Sequence, residues 1–402
     1  MMNIVIAGCG VAGVTAAETA RQKEPSANIT VFSLERDALY YRPRLPEIIS
    51  GKLEIEKIYA HPDSWYQEKN IELRKGESLL EVCTESRLVR GALGSRLNYD
   101  RILIATGAES AKPAPVDYQL PGVFTVRRLP DAMALFYEAK RSQSAVIVGG
   151  GLLALEIGCA LGAVGVKVHI LERSERILPR QTTPASSAKL NSYLTEKGLE
   201  FHLGASLASV KGRDRLTGVE LTNGLNLSAQ ILIVAAGITP NLKLAQDLGL
   251  KTDRGIVVDH FLETTLEDIY AAGDCAQTPD GFGGLWTIGR QQGLVAGHNL
   301  VCGPTERIAY QPTPPSSTLK VAGLDLVAAG NIDPDGKLNS VVAETEKTYR
   351  KVVVDVDSLL VGYTNLGTTK GNRELAGALG TKKLSEQTLT ALADPNFDFV
   401  SF

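Results

Sequence analysis

A chain of 402 residues is too long for one ordinary core and predicts two or three domains, each able to bury a sizeable apolar interior. Its composition is globular, 44% hydrophobic and 22% charged, and a formal net charge of -3 excludes the basic field that a nucleic-acid backbone demands. No apolar run approaches the roughly 20 residues that span a bilayer, and the start MMNIVIAGCGVAG carries no basic leader, so a cytoplasmic protein without a membrane partner is expected.

The first apolar run, Asn3 to Ala7, leads into Gly8, Gly10 and Gly13 and a helical stretch from Val11 to Gln22. This is strand, tight turn and helix. Gly8 permits the turn, Gly10 lets backbone amides approach a pyrophosphate, and Gly13 lets helix and strand pack closely, with the phosphates at the helix amino terminus. A second strand, Ile29 to Leu34, ends at Glu35, where a carboxylate can accept both hydroxyls of a ribose. Tyr99 to Thr106 predicts a further strand.

The same grammar returns at Ala145 to Val148, with Gly149, Gly150 and Gly151, a helix to Val164, and a strand from Lys167 to Leu171 that ends at Glu172. Ala154 stands where a third glycine would be and still allows close helix packing. Glu172 favours an unphosphorylated ribose and repels a 2′-phosphate, which points to NADH. Arg173, Arg176 and Arg180 pull the other way, because each offers a cation to the extra phosphate of NADPH.

Gln230 to Ala236 and Ile256 to Asp259 read as strands leaning on these cores. After Gly303, the prolines Pro304, Pro312, Pro314 and Pro315 mark a boundary, followed by alternating runs at Ser317 to Val321, Asp325 to Ala329 and Lys351 to Val356. A smaller, mostly β domain is expected there. It closes on a helix, Ser385 to Ala393, and an aromatic tail, Phe397, Phe399 and Phe402, expected to pack or to pair with another subunit rather than to bind a cofactor. Cys9, Cys83, Cys159, Cys275 and Cys302 stand far apart with no CxxC spacing. They predict buried, reduced thiols, and no metal is expected.

Three more segments complete a family likeness over nearly the whole chain. Tyr99-Asp100-Arg101-Ile102-Leu103-Ile104-Ala105-Thr106-Gly107, Val234-Ala235-Ala236-Gly237 with Pro240 and Asn241, and Ile269-Tyr270-Ala271-Ala272-Gly273-Asp274 follow the two fingerprints in order. The chain thereby resembles the pyridine-nucleotide oxidoreductase superfamily of two-dinucleotide-binding-domain flavoproteins. The resemblance implies an α/β fold with two Rossmann-like domains, for FAD and NAD(P)H, plus a smaller α+β C-terminal domain. It divides the chain into an FAD-binding domain (1-110 and 237-303), an NAD(P)H-binding domain (111-236) and a C-terminal interface domain (304-402), through which a homodimer could form.

By the same likeness FAD is held by Gly8, Gly10, Val11, Ala12 and Gly13, by Glu35 and Arg36, and by Ala105, Thr106 and Gly107. Asp274 after Gly273 usually binds the ribityl chain, and Lys52, Leu79, Trp286 and Thr287 complete the expected flavin contacts. NAD(P)H is expected on Gly149, Gly151, Leu152, Leu153, Glu156, Glu172, Arg173, Ala236 and Gly237. Tyr40-Tyr41-Arg42-Pro43-Arg44-Leu45, Gly284-Leu285-Trp286 and Leu319-Lys320-Val321 resemble rubredoxin reductases and the flavin module of NAD(P)H nitrite reductases. In that family Arg42 and Pro43 correspond to a pair lying against the flavin and its pyrophosphate. Glu47, Lys52 and Glu156 are candidate polar neighbours of the flavin; related ferredoxin reductases place a lysine five residues after the arginine, whereas Glu47 stands here, which argues against simple transfer of their lysine-glutamate pair.

Absences narrow the branch. Disulfide reductases need a cysteine pair beside the flavin, and NADH peroxidases one cysteine shortly after the first βαβ unit; no cysteine lies between Cys9 and Cys83. The cluster and siroheme domains of nitrite reductases have no counterpart in these residues. The resemblance implies that hydride passes from nicotinamide C4 to flavin N5, with the chemistry on the flavin and no catalytic side chain. Leu152 replaces an aromatic residue that covers the nicotinamide pocket in several relatives, so an open pocket is expected. A small redox carrier, rubredoxin or similar, is the expected acceptor. Direct reduction of oxygen, as in an NADH oxidase, is the alternative enzyme, and a redox-sensing or assembly subunit the alternative of another class.

Overall fold

Continuous apolar runs between glycine turns build two parallel sheets, because a strand covered on both faces has no reason to alternate polar and apolar side chains. The computed structural model describes residues 1–314, 316–321 and 323–402; Pro315, one of the boundary prolines, lies outside them. The first elements are β1 (Asn3–Ala7), α1 (Val11–Lys23), β2 (Asn28–Ser33), α2 (Leu45–Ile49), β3 (Ile71–Lys75), β4 (Arg101–Ile104) and β5 (Ala108–Ser110). Next come α3 (Leu129–Ala139), β6 (Ser144–Val148), α4 (Leu152–Ala163), β7 (Lys167–Glu172), α5 (Pro184–Glu196), β8 (Leu199–Leu203) and β9 (Ile231–Val234). They are followed by β10 (Ile238–Pro240), β11 (Ile269–Ala271) and α6 (Trp286–Asn299). The last part holds β12 (Ser316–Val321), β13 (Leu324–Gly330), β14 (Asn339–Glu344), β15 (Tyr349–Val354), β16 (Leu360–Leu366), α7 (Asn372–Ala378) and α8 (Glu386–Ala391).

The chain divides into two units. One comprises Met1–Arg44, Leu53–Ser110 and Gly237–Thr313, the other Leu45–Lys52, Ala111–Ala236 and Pro314–Phe402.

In the first unit five parallel strands run in the order β11-β4-β1-β2-β3. Ile4, Val5 and Ile6 of the middle strand and Ile102, Leu103 and Ile104 beside it are fully enclosed, which makes this sheet the centre of the unit's core. One face is covered by α1 and α6, whose contact is made almost without side chains. A β-carbon placed on Gly293 would stand 2.5 Å from the Ala12 carbonyl oxygen, and one on Gly297 the same distance from that of Ala16. Gly289, Gly293 and Gly297 therefore form a groove along α6 into which the alanines of α1 fit. The antiparallel pair β5 and β10, Ala108 opposite Pro240, joins the two crossings of the chain.

In the second unit the parallel order is β8-β7-β6-β9, extended by Val123–Phe124. Ala145, Val146 and Ile147 have no exposed surface. Beyond it β12-β13-β16-β15-β14 form an antiparallel sheet. It is tied to α5 by Thr183, whose hydroxyl donates to Tyr349 at 3.0 Å, and by Lys189, which donates to the Thr345 carbonyl at 2.8 Å. The aromatic tail packs on this domain. Phe399 is buried with ring contacts to Phe397 and Phe402, and the Arg350 guanidinium lies over it, donating to the carbonyls of Leu392 and Asp394. Ser385 caps the last helix by accepting from the Thr388 amide. Among the described residues no helix is long and apolar enough to cross a membrane.

The α1–α6 contact makes a local prediction. Gly293→Ala should cost about 1–3 kcal/mol by overpacking. Gly162→Ala on α4, whose new methyl would meet only Leu199 at 3.9 Å, should be neutral or gain up to about 1 kcal/mol. Urea denaturation of the two variants checks the difference.

Candidate functional site

Parallel strands present their carboxyl ends together, and motifs far apart in the chain meet there. Ala7, Ile104 and Ala271 are register neighbours at the ends of β1, β4 and β11. Gly8 and Gly10, then Ala105 to Gly107, then Gly273 and Asp274 follow immediately. Gly8 has φ +126°, and a β-carbon there would stand 2.1 Å from the Ala105 carbonyl oxygen; on Gly13 it would stand 2.0 Å from that of Gly8. Backbone thus closes on backbone. Gly10, by contrast, is the N-cap of α1, offers no side-chain cap, and would meet nothing within 4 Å with a β-carbon added. The unpaired amides of the helix amino terminus face that space, a cradle for a phosphate group.

Polar groups gather around it. Glu35, just past β2, accepts from the Tyr40 hydroxyl and from Arg42, both at 2.6 Å. Burial works against the charge of Arg42, but Tyr40 and Glu35 outweigh it and hold its pKa above the ordinary value; Asp274 adds to this. Arg42 and Asp274 are therefore electrostatic neighbours. The Gly273 amide, at φ +83°, donates to Gln292 of α6 at 2.7 Å. Thr106 and Asn241 exchange hydrogen bonds, each 2.9 Å, and pin the outgoing strand to the returning one. Val11 and Ala12 start α1, and Ala12 lies 2.9 Å from where a Gly273 β-carbon would be. Trp286 begins α6, its ring 5.5 Å from that of Tyr41, with Thr287 exposed beside it. Leu79 packs half-buried on the core of this unit, while Arg36 and Pro43 are exposed.

The second cradle repeats the first. Gly149 has φ +112°, with the Ala235 carbonyl oxygen 2.6 Å from a β-carbon built there, and Gly151 is an N-cap with open space before it. Ala154 is fully buried in the place where the first cradle has Gly13. Glu172 accepts from the amides of Gly150 and Ser174, both at 2.8 Å, so its carboxylate is held at the mouth of the cradle. Leu152 and Leu153 form the first turn of α4, Leu153 and Arg173 are exposed, and Ala236 follows β9 just before Gly237 starts the return. The residues present fit a dinucleotide in each unit: an open glycine turn, an uncapped helix and an acid at the end of the next strand.

Lys52 and Glu47 fall in the second unit with α2, as does Glu156 on α4. Burial pushes the Glu156 carboxyl up to about 7, and the charge of Glu47 adds to the effect. Burial likewise raises the Cys9 thiol to about 12 and the Cys159 thiol to about 11. All five cysteines are free, and those two are inert neutral thiols at neutral pH.

Sequence reading missed Tyr40 and Gln292 as supports; Tyr40 lies five residues after Glu35 in the Tyr-Tyr-Arg-Pro segment, whereas Gln292 meets the Gly273 amide across 19 positions and has no local signal. The glycine groove of α6 had one, a spacing of four between Gly289, Gly293 and Gly297. A carboxyl with a raised pKa binds its proton in the folded state where the unfolded chain has lost it, so stability falls as pH climbs from about 4.5 to about 7. Glu156→Gln should abolish that fall. Its thermal midpoint should match the parent near pH 4.5 and exceed it near pH 8, by on the order of 2 kcal/mol in stability.

Residues 2–293 match the family model described as pyridine nucleotide-disulphide oxidoreductase, and residues 315–383 match the rubredoxin NAD+ reductase C-terminal domain. A rubredoxin-NAD(+) reductase of Ectopseudomonas oleovorans is 30% identical over 391 residues, 94% of this chain and 99% of that one. The assimilatory nitrate reductase electron transfer subunit of Bacillus subtilis is 31% identical over 94% of this chain, but only 49% of its own length is covered. The same share holds for a nitrite reductase [NAD(P)H] of that organism, so the chain spans about half the length of these two relatives. Among solved structures, NADH:rubredoxin oxidoreductase from Clostridium acetobutylicum aligns with a TM-score of 0.77 at 26% identity, covering 97% of this chain and 98% of that one. A ferredoxin reductase from Rhodopseudomonas palustris reaches a TM-score of 0.89 at 24% identity over 100% and 99% of the two chains, a likeness of fold. With two glycine cradles at the carboxyl ends of two parallel sheets and a family match over most of its length, the chain belongs to the pyridine nucleotide-disulphide oxidoreductase family.

Proposed function

We propose that this protein is an FAD-dependent NADH oxidoreductase that delivers electrons to a small redox carrier of the rubredoxin type. The observation that carries the reading is the pair of open cradles, each an uncapped helix behind a glycine turn, in a chain whose thiols are all unpaired. The C-terminal domain match and the rubredoxin reductases among the relatives favour such a carrier as acceptor. FAD, when bound, supplies the hydride acceptor and the step from a two-electron donor to a one-electron carrier.

The chain's own residues bind and orient. In this reading the amides behind Gly8 and Gly10 and the start of α1 hold the flavin pyrophosphate. Glu35, steadied by Tyr40 and Arg42, takes the ribose, and Asp274 takes the ribityl chain. Gly149, Gly151 and the start of α4 hold the pyrophosphate of NADH, and Glu172 accepts from its ribose. Leu152 leaves the nicotinamide pocket open. Arg36, Pro43, Lys52, Leu79, Trp286 and Thr287 on the flavin side, and Leu153, Glu156, Arg173, Ala236 and Gly237 on the nucleotide side, remain the proposed further contacts. A cytoplasmic location fits the reduced thiols. A homodimer through the C-terminal sheet fits the edge strands β12 and β14.

Two measurements test this. Anaerobic NADH should bleach the flavin quickly, and rubredoxin should then be reduced faster than ferredoxin, dyes or oxygen; oxygen consumption outpacing every carrier would instead mark an NADH oxidase. Comparison of kcat/KM for the two nucleotides should favour NADH, with Glu172→Ala losing about tenfold or more of that preference, as removal of a ribose-binding carboxylate that repels phosphate requires. A strong parental preference for NADPH would overturn the assignment of Glu172.

A further inference from the structure

Away from both cradles, adjacent strands of the second unit bring together three side chains with metal-ligand chemistry. On β7 and β8 His169 is the register partner of Glu200, and Leu171 that of His202, so Glu200 and His202 project to one face, two residues apart on the edge strand. His169 Nδ1 lies 3.1 Å from His202 Nε2 and 3.1 Å from Glu200 Oε2. The three ligand atoms all fall within 4.8 Å of one another. His169 is buried, His202 half-buried and Glu200 exposed, so the cluster opens to solvent on one side.

Hydrogen bonding alone serves this cluster poorly. Nδ1 of His169 carries at most one proton, yet it faces both an imidazole nitrogen and a carboxylate oxygen at the same distance. If the proton sits there, one contact is a hydrogen bond and the other is left over. A cation satisfies all three at once. Two ligand atoms at about 2.0–2.1 Å from a tetrahedral zinc stand about 3.3–3.4 Å apart, and the observed 3.1 Å separations are within a few tenths of that edge. The second oxygen of Glu200 is held by Lys167 Nζ at 2.8 Å, which aims Oε2 inward as an outer-shell partner would. The lysine's charge opposes a dication and tempers the affinity.

We propose that His169, Glu200 and His202 form a binding site for a zinc-class divalent cation, with the fourth position open to water. Two imidazoles and one carboxylate suit Zn2+ and its borderline neighbours rather than Mg2+ or Ca2+. A metal there clips edge strand β8 to β7, the strand that ends at Glu172.

The test is titration of the chelator-treated flavoprotein with ZnCl2 against a chromophoric chelator. One zinc per chain is expected, with a thermal midpoint that rises with zinc concentration. His202→Gln and Glu200→Gln should each weaken binding about tenfold or more, with flavin absorbance and the metal-free thermal midpoint unchanged. X-ray absorption at the zinc edge should report two imidazole ligands. Glu200 is solvent-exposed and its ion pair contributes little to stability, so Glu200→Gln keeps the comparison available if His202→Gln fails to fold. No zinc uptake by the folded parent, or unchanged affinity in either folded variant, would overturn the proposal.

Discussion

Backbone packed directly on backbone is the constraint on which both cradles depend. At the end of β1 the turn at Gly8 comes so near the Ala105 carbonyl, and α1 so near the turn at Gly13, that a single methyl group at either place would collide at about 2 Å. That closeness aims the amino terminus of α1 at the carboxyl edge of the sheet, with its amides facing space instead of side chains. The groove of α6 extends the principle: glycine against alanine carbonyls fixes α1 from behind. The cradle is thereby rigid before any ligand arrives, and the cost of ordering it is met during folding.

Charge is distributed to the same end. Around the first cradle an acid, a guanidinium and a second acid stand in sequence, Glu35, Arg42 and Asp274, with Tyr40 fixing the first. Around the second the acid is fixed by main-chain amides alone. Each carboxylate has two hydrogen-bond partners, side chains at the first cradle and main-chain amides at the second. Burial raises the thiols of Cys9 and Cys159 and keeps both protonated at neutral pH.

The His169, Glu200 and His202 cluster and the Glu47 and Glu156 pair show how titratable groups collect where secondary elements of one unit meet. Neither belongs to a glycine motif. Each depends on strand register or helix packing, which brings residues some 30 or 100 positions apart into one field.

What the sequence determined by itself was everything that local chemistry dictates. Asn3–Ala7 and Val11 fall where the apolar run and the glycine turn predicted, because strand continuity and positive φ are properties of a few consecutive residues; the helix expected over Ser385 to Ala393 runs Glu386–Ala391 with Ser385 as its cap. Ser317 to Val321 and Asp325 to Ala329 likewise lie within β12 and β13. Strands β14 and β16 were not legible, since Asn339–Glu344 alternates weakly and Leu360–Leu366 is a mixed run whose burial comes from its neighbours in the sheet. Only the tertiary structure decided that Tyr40 and Arg42 share Glu35, that Gln292 receives the Gly273 amide, and that two histidines and a glutamate converge. The Gln292 and histidine pairings are set by strand register and helix packing over 19 to 33 positions, whereas Glu35, Tyr40 and Arg42 share one short window whose loop conformation the residues alone do not state.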